Sequence, residues 1–181
     1  PEKPEAPVLD PNNESHLKIE VAVRKAAKKP TGELTKADLE KVTELHLGDN
    51  ELTDVKELEK LTQLENLNLR SNKITDLSPL SGLTQLQKLE LGLNGITNIT
   101  SLANLSQLKD LRIYNNGIKD IAPLAKLSKL EWLELNTNRI EDLSALANLR
   151  QLKFLNISSN QFSDLSPIAK LTRLETLVIA F

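Results

Sequence analysis

The sequence contains no cysteine, which excludes disulfide scaffolds, thiolate metal sites and cysteine nucleophiles. Only two of its 181 residues are histidine, too few for an all-histidine metal site. No stretch approaches the roughly 18 consecutive apolar residues that a membrane-spanning helix needs. Lys and Arg (23) nearly balance Asp and Glu (25), whereas a nucleic-acid-binding protein usually carries a strongly basic face. The lack of a long apolar stretch argues against a membrane-spanning helix, and the balanced charge argues against a nucleic-acid partner.

Aromatic residues are scarce, whereas leucine is abundant. Phe, Trp and Tyr together number five, while 37 of the 181 residues are leucine. Such a composition suggests a core built repeatedly from one small pattern. A frame of seven apolar residues and one asparagine recurs every 22 residues, in six complete units and a partial seventh, without insertion or deletion. Its second copy consists of Leu64, Leu67, Leu69, Asn72, Ile74, Leu77, Leu80 and Leu83.

The spacing within each unit predicts its local structure. Polar and apolar residues alternate in short segments such as residues 66–69, which is typical of a strand with one buried face. The following asparagine can hydrogen-bond the backbone of a buried turn, so the six asparagines are expected to stack as a ladder. Pro79, Pro123 and Pro167 lie in the return segment, which favours a tight 3₁₀-like path. Because one unit cannot bury its apolar face alone, the units are expected to stack into a solenoid.

The repeat resembles the 22-residue leucine-rich repeats of bacterial internalin-type proteins over residues 42–181. The segment LTQLENLNLRSNKITDLSPLSG, residues 61–82, is close to a consensus for that class. The resemblance implies an α/β solenoid, a right-handed arc with a parallel concave β-sheet, a 3₁₀-like convex side and an N-terminal helical cap. It also implies a secreted or cell-surface bacterial protein whose partner could be a host or cell-surface protein.

The segments before the repeats are expected to differ from them. Residues 1–13 are Pro-rich and polar, which is typical of a flexible leader. Residues 14–41 predict a helical cap over the first repeat, with a helix that ends near Pro30. Thr35, followed three residues later by Asp38, predicts the start of a short second helix. A strand is the alternative for the first segment, because apolar residues also alternate at Leu17, Ile19, Val21 and Val23.

The last repeat is predicted to leave an open apolar edge. Leu174, Leu177 and Ile179 have no following repeat in this sequence, and their strand backbone would be unpaired. Internalin-type proteins instead continue into a capping domain. We therefore expect either further native sequence or coverage by another chain, including edge-to-edge self-association through this repeat. Since the sequence begins at Pro1 and lacks Met, we also expect a processed or trimmed piece.

Three of the five aromatic residues fall on strand positions that should project from the concave face. Tyr114, Trp132 and Phe154 occupy three consecutive repeats. Exposed Trp and Tyr are over-represented among binding hot spots. The alternative is that Trp132 and Phe154, about 4.8 Å apart on adjacent strands, simply cover each other. We favour recognition of a partner.

Charged residues surround these aromatic positions. Glu90, Arg112 and Glu134 alternate in sign on successive strands, which favours an intramolecular salt-bridge ladder that would still permit binding. Lys88 and Leu93, in neighbouring columns of the same face, complete the predicted protein-binding site.

Other chemistry is not indicated by the sequence. The six glycines are scattered, and none forms a phosphate-binding loop. Asp54, Asp76, Asp120, Asp142 and Asp164 recur once per unit, with Asn98 in the remaining place. One carboxylate per repeat supplies too few oxygens for a tight calcium site, so we expect these residues to cap turns. An open sheet also gives no sheltered pocket for acid–base chemistry, so we predict no enzyme, metal or cofactor.

The leading hypothesis is a non-enzymatic module that binds a partner protein through its concave face. A second hypothesis is the substrate-recognition arm of a larger bacterial effector enzyme whose catalytic domain lies outside this chain. A third is a purely structural or engineered scaffold.

Overall fold

Seven three-residue strands form one parallel sheet in the computed structural model, which describes residues 13–180. The sheet order follows the chain order, and each strand pairs in register with the equivalent strand of the next repeat, as Leu111 does with Leu133. This arrangement confirms the predicted solenoid and its register. The strands are β1 (Glu44–His46), β2 (Asn66–Asn68), β3 (Lys88–Glu90), β4 (Asp110–Arg112), β5 (Trp132–Glu134), β6 (Phe154–Asn156) and β7 (Thr176–Val178).

The convex side consists of short 3₁₀ turns, as the proline positions predicted. Pro79, Pro123 and Pro167 each lie in the first turn of such an element. The once-per-unit polar residues cap these turns: Asp76 accepts the Ser78 N–H at 2.8 Å. The six 3₁₀ elements are Lys56–Lys60, Ser78–Leu80, Thr100–Leu102, Ala122–Lys126, Ser144–Leu146 and Ser166–Ile168.

The asparagine ladder joins each repeat to its neighbours inside the core. Asn138, only 7% exposed, donates from Nδ2 to the carbonyl of Ile113 at 3.0 Å and to that of Leu135 at 2.9 Å. Its Oδ1 accepts the Ile118 N–H at 3.1 Å. Leu111 and the other apolar frame residues of the middle repeats are fully buried. The predicted ladder is therefore confirmed, and it satisfies backbone groups that no strand reaches.

The residue just before the ladder asparagine adopts a left-handed backbone in each complete repeat, and the first repeat has a second such residue, Glu51. Their φ angles lie between 51° and 59°. This conformation disfavours side chains other than Gly, Asn and Asp, so Leu93 and Thr137 occupy it at a cost. The six residues before the asparagines are Asp49, Ser71, Leu93, Asn115, Thr137 and Ser159.

A helix, and not a strand, precedes the repeats. Helix α1 spans Glu14–Ala26 and buries Ile19 and Val23, while Leu17 and Val21 are exposed by 45% and 68%. Its amphipathic burial confirms the helical prediction. The predicted leader lies outside the described residues except for Asn13, whose side chain accepts the His16 N–H and caps the helix.

The cap is fastened by polar contacts. Helix α2, Lys36–Leu39, begins with the predicted capping box between Thr35 and Asp38. The imidazole Nδ1 of His16 lies 2.6 Å from Glu57 Oε1, which ties α1 to the first 3₁₀ turn.

The last strand leaves apolar side chains uncovered within the described residues. Leu177 is 42% exposed and Val178 is 38% exposed, whereas the equivalent leucine of β6, Leu155, is fully buried. The predicted apolar edge is therefore present at Leu177, whereas Leu174 and Ile179 are partly buried and pack against the core. No helix among residues 13–180 is long and apolar enough to cross a membrane.

Candidate protein-binding site

Trp132 and Phe154 form one stacked unit on the concave face. They lie opposite each other on β5 and β6, with ring centroids 3.8 Å apart and ring planes 4° apart. Both side chains are partly exposed. The mutual covering considered from the sequence is therefore present, and it produces a rigid aromatic unit instead of two independent anchors.

Two charged residues hold the tryptophan in place. The guanidinium carbon of Arg112 lies 5.2 Å from the Trp132 ring centroid, within cation–π range. The indole Nε1–H of Trp132 donates to Glu134 Oε1 at 2.7 Å. Because Trp132 is held by Phe154, Arg112 and Glu134, its ring is preorganised before any partner arrives.

The predicted ladder of Glu90, Arg112 and Glu134 is present in part, since Arg112 Nε lies 3.8 Å from Glu134 Oε1. Arg112 makes a closer, bidentate pair with Asp110, at 2.9 and 3.0 Å. Asp110 is the nearer partner because residues two apart on one strand share a face. Its hydrogen bonds raise the pKa of Arg112, which stabilises the charged form. Lys88 completes this cluster, with its Nζ 3.5 Å from Asp110 Oδ2.

Glu90 does not project freely from the face as predicted. Its exposed fraction is 9%, and its carboxylate accepts the Gly92 N–H at 3.3 Å. Burial raises the pKa of Glu90. Glu90 is therefore a buried residue of the concave face and leaves little surface for a partner.

Tyr114 lies apart from the stacked pair. Its ring covers Gly92, where a Cβ atom would clash with it, and its hydroxyl oxygen accepts the Arg70 Nε–H at 2.8 Å. The side chain thus extends from the segment after β4 back toward the segment after β2, away from Trp132 on β5. Leu93, partly exposed, follows Gly92. The predicted aromatic cluster is therefore divided into a Trp132–Phe154 pair and a separate Tyr114 group.

Sequence reasoning missed Asp110, Gly92 and Arg70. The signal for Asp110 was its position two residues before Arg112 on a strand. The signal for Gly92 and Arg70 was their position: they occupy the same place as Tyr114 in the two preceding repeats. A glycine at that place leaves space for the large ring of its neighbour. Among the described residues, no group of three His, Asp or Glu could hold a metal ion.

Comparisons with known proteins agree with this architecture. The family model described as Leucine Rich repeats (2 copies) matches residues 40–82, 62–106 and 106–148, and the Leucine Rich Repeat model matches residues 151–171. The chain therefore belongs to the leucine-rich repeat family. No curated protein sequence matches the chain.

Solved structures place it near the internalins. An internalin (inlF) from Listeria monocytogenes is 37% identical with a TM-score of 0.85, over 88% of this chain and 48% of that one. Internalin C2 from the same species is 35% identical with a TM-score of 0.67, over 90% and 92%. The chain thus spans about half the length of the first relative and most of the second. A plant peptide hormone receptor in complex with RGF2 shares the fold, with 24% identity, a TM-score of 0.68, and coverage of 77% and 24%.

Proposed function

We propose that this chain is a non-enzymatic recognition module that binds a partner protein through its concave face, centred on Trp132 and Phe154. The observation that carries the proposal is the stacked, partly exposed pair on an open sheet. Rigid aromatic groups bury much area on binding and lose little conformational freedom, which makes them effective anchors. Leucine-rich repeat domains are generally protein-interaction modules.

The residues around the pair have distinct roles in this proposal. Arg112 and Lys88 supply positive charge beside the stack, and Glu134 offers its second carboxylate oxygen. Tyr114 and Leu93 form a second contact area toward the N-terminal repeats. Glu90 offers little contact area to the partner, since its side chain is buried.

The same proposal extends to location and partners. Likeness to internalins supports a secreted or cell-surface bacterial protein whose partner is a host or cell-surface protein. A plant peptide hormone receptor of the same fold, in complex with RGF2, supports the use of such an array for ligand binding. Exposed Leu177 and Val178 support edge-to-edge self-association of the isolated chain through β7.

Replacement of the tryptophan tests the proposed site. Hot-spot truncation costs about 2 kcal/mol or more, so Trp132→Ala is expected to weaken partner binding roughly thirtyfold. Exposed Lys119, outside this site, provides the control Lys119→Ala. Affinity for a partner captured from host-cell surface proteins is measured by calorimetry, at a temperature where circular dichroism shows both variants folded. Equal affinities of the two variants would refute the concave site.

A further inference from the structure

The faces of the aromatic rings are unequally occupied. Arg112 on β4 and Phe154 on β6 lie on opposite sides of Trp132, because β5 is between those two strands. Arg112 is 5.2 Å from the Trp132 centroid, and the Phe154 ring is 3.8 Å from it on the other side. Both faces of Trp132 are thus covered. Phe154 has one covered face and one face directed toward β7.

Among the described residues, no ring or guanidinium occupies the position on β7 that lies next to Phe154. Thr176 on β7 is in register with Phe154, and its short, exposed side chain cannot cover a phenyl ring. A shallow groove runs beside the stacked residues, from Lys109 and Asp110 past Trp132 and Phe154, and its last lining residues are Glu175 and Thr176. The column formed by Arg112, Trp132 and Phe154 therefore ends at a free aromatic face above Thr176.

The groove combines that aromatic face with an accessible carboxylate. Glu175 is exposed. Lys153, one of the cations that line the groove, has its Nζ 2.6 Å from Glu131 Oε2, so its charge is directed to another carboxylate. A guanidinium can stack on an aromatic face and pair with a carboxylate at once, whereas an ammonium is a compact point charge that cannot stack.

The protein already contains this arrangement at the other end of the column. Arg112 lies over Trp132 and at the same time makes its bidentate pair with Asp110. The free face of Phe154 with Glu175 beside it repeats the same two elements, an aromatic face and a carboxylate, without a resident guanidinium.

We infer that the partner protein inserts an arginine side chain into this groove, stacked on the free face of Phe154 and paired with Glu175. The column would then read Arg112, Trp132, Phe154 and the arginine of the partner. This inference rests on the proposed function and specifies the chemistry that the concave face selects.

A displayed library of random dodecapeptides, selected on the intact 181-residue chain, tests the inference. Selected peptides are first sorted by loss of affinity for Phe154→Ala, which identifies those bound at the column. We expect these peptides to share one arginine, and replacing it with lysine or norleucine should weaken binding roughly two- to thirtyfold. This loss of affinity on replacing the arginine should be smaller when it is measured with the Glu175→Gln variant. Thr176→Trp keeps Phe154 but covers its free face from β7, so this variant should bind the arginine peptides more weakly.

The outcomes separate the two proposals. If the selected peptides need Phe154 but tolerate norleucine in place of every arginine, the arginine inference is overturned while the concave recognition site stands. If no selected peptide loses affinity for Phe154→Ala, both the inference and the proposed site are overturned. Circular dichroism of Phe154→Ala and Thr176→Trp checks that each retains its fold.

Discussion

Asn138→Ala is expected to be among the most damaging single substitutions in the array. The change removes the donor to the Ile113 and Leu135 carbonyls and the acceptor of the Ile118 N–H. Each buried backbone group left without a partner costs about 1–3 kcal/mol. With three groups affected and partial relaxation of the turn, the free energy of unfolding should fall by about 3–5 kcal/mol.

A neighbouring asparagine provides the matched control. Asn136 is in the same repeat, and its side-chain Oδ1 is buried without a hydrogen-bond partner. Removal of an unpartnered buried oxygen loses no hydrogen bond, so Asn136→Ala should leave the free energy of unfolding unchanged or raise it. Both variants remove the same atoms, so the comparison isolates the hydrogen bonds of the ladder.

Urea denaturation followed by circular dichroism measures both free energies. Because repeat arrays can unfold in segments, hydrogen exchange supplies a local reading at the Ile118 amide, whose acceptor is lost. That amide should exchange faster in Asn138→Ala than in Asn136→Ala. Equal losses of stability in the two variants would refute the assignment of the ladder as a main source of cohesion.

Four further predictions concern the core, the strained turn, the buried carboxylate and the last strand. Leu111→Ala should lower the free energy of unfolding by about 2–5 kcal/mol in urea titration, and a loss below about 1 kcal/mol would contradict its core position. Leu93→Asn should raise it by about 0.5–1 kcal/mol, because asparagine tolerates a left-handed backbone, and no gain would mean that the turn is unstrained. Burial raises the pKa of Glu90 in the folded state. Below the pKa that Glu90 has in the unfolded chain, the carboxyl is protonated in both states and does not affect stability; as the pH rises past that value, ionisation increasingly favours the unfolded chain. Glu90→Gln should therefore raise the Tm near about pH 7 and leave it unchanged near about pH 3, whereas a lower Tm near neutral pH would reverse the argument. Hydrogen exchange of a dilute monomer should find residues 171–180 less protected than residues 105–157, and equal protection would contradict an open edge.

The repeat frame made most of the fold predictable. Leu111 and Leu133 occupy the same place in consecutive repeats and lie opposite each other in the sheet, because a strict period fixes the register of a parallel solenoid. The asparagine bonds followed from the need to satisfy buried backbone groups. Every one of these features recurs from repeat to repeat, so many copies of one signal supported each prediction.

The side-chain arrangement of the candidate site was less predictable, since it depends on residues that occur once. Tyr114 turns toward Arg70 because Gly92 has no side chain to block the ring, and a column of polar positions does not reveal that direction. Arg112 selects Asp110 through the close geometry of one strand over the carboxylates on neighbouring strands. The sequence indicated which residues share the face, and local packing decided which of them meet.

The asparagine bonds also determine how this array tolerates changes in length. Each ladder residue from Asn94 to Asn160 accepts an N–H from 20 residues earlier and donates to a carbonyl 25 residues earlier. If one complete 22-residue repeat within the array is removed or duplicated, both separations, of 20 and of 25 residues, are restored at the junction. An insertion or deletion slightly longer or shorter than one repeat shifts both hydrogen-bond partners out of position. Whole repeats are therefore interchangeable parts, and the extent of the concave face can be lengthened or shortened in fixed steps without redesign of the core.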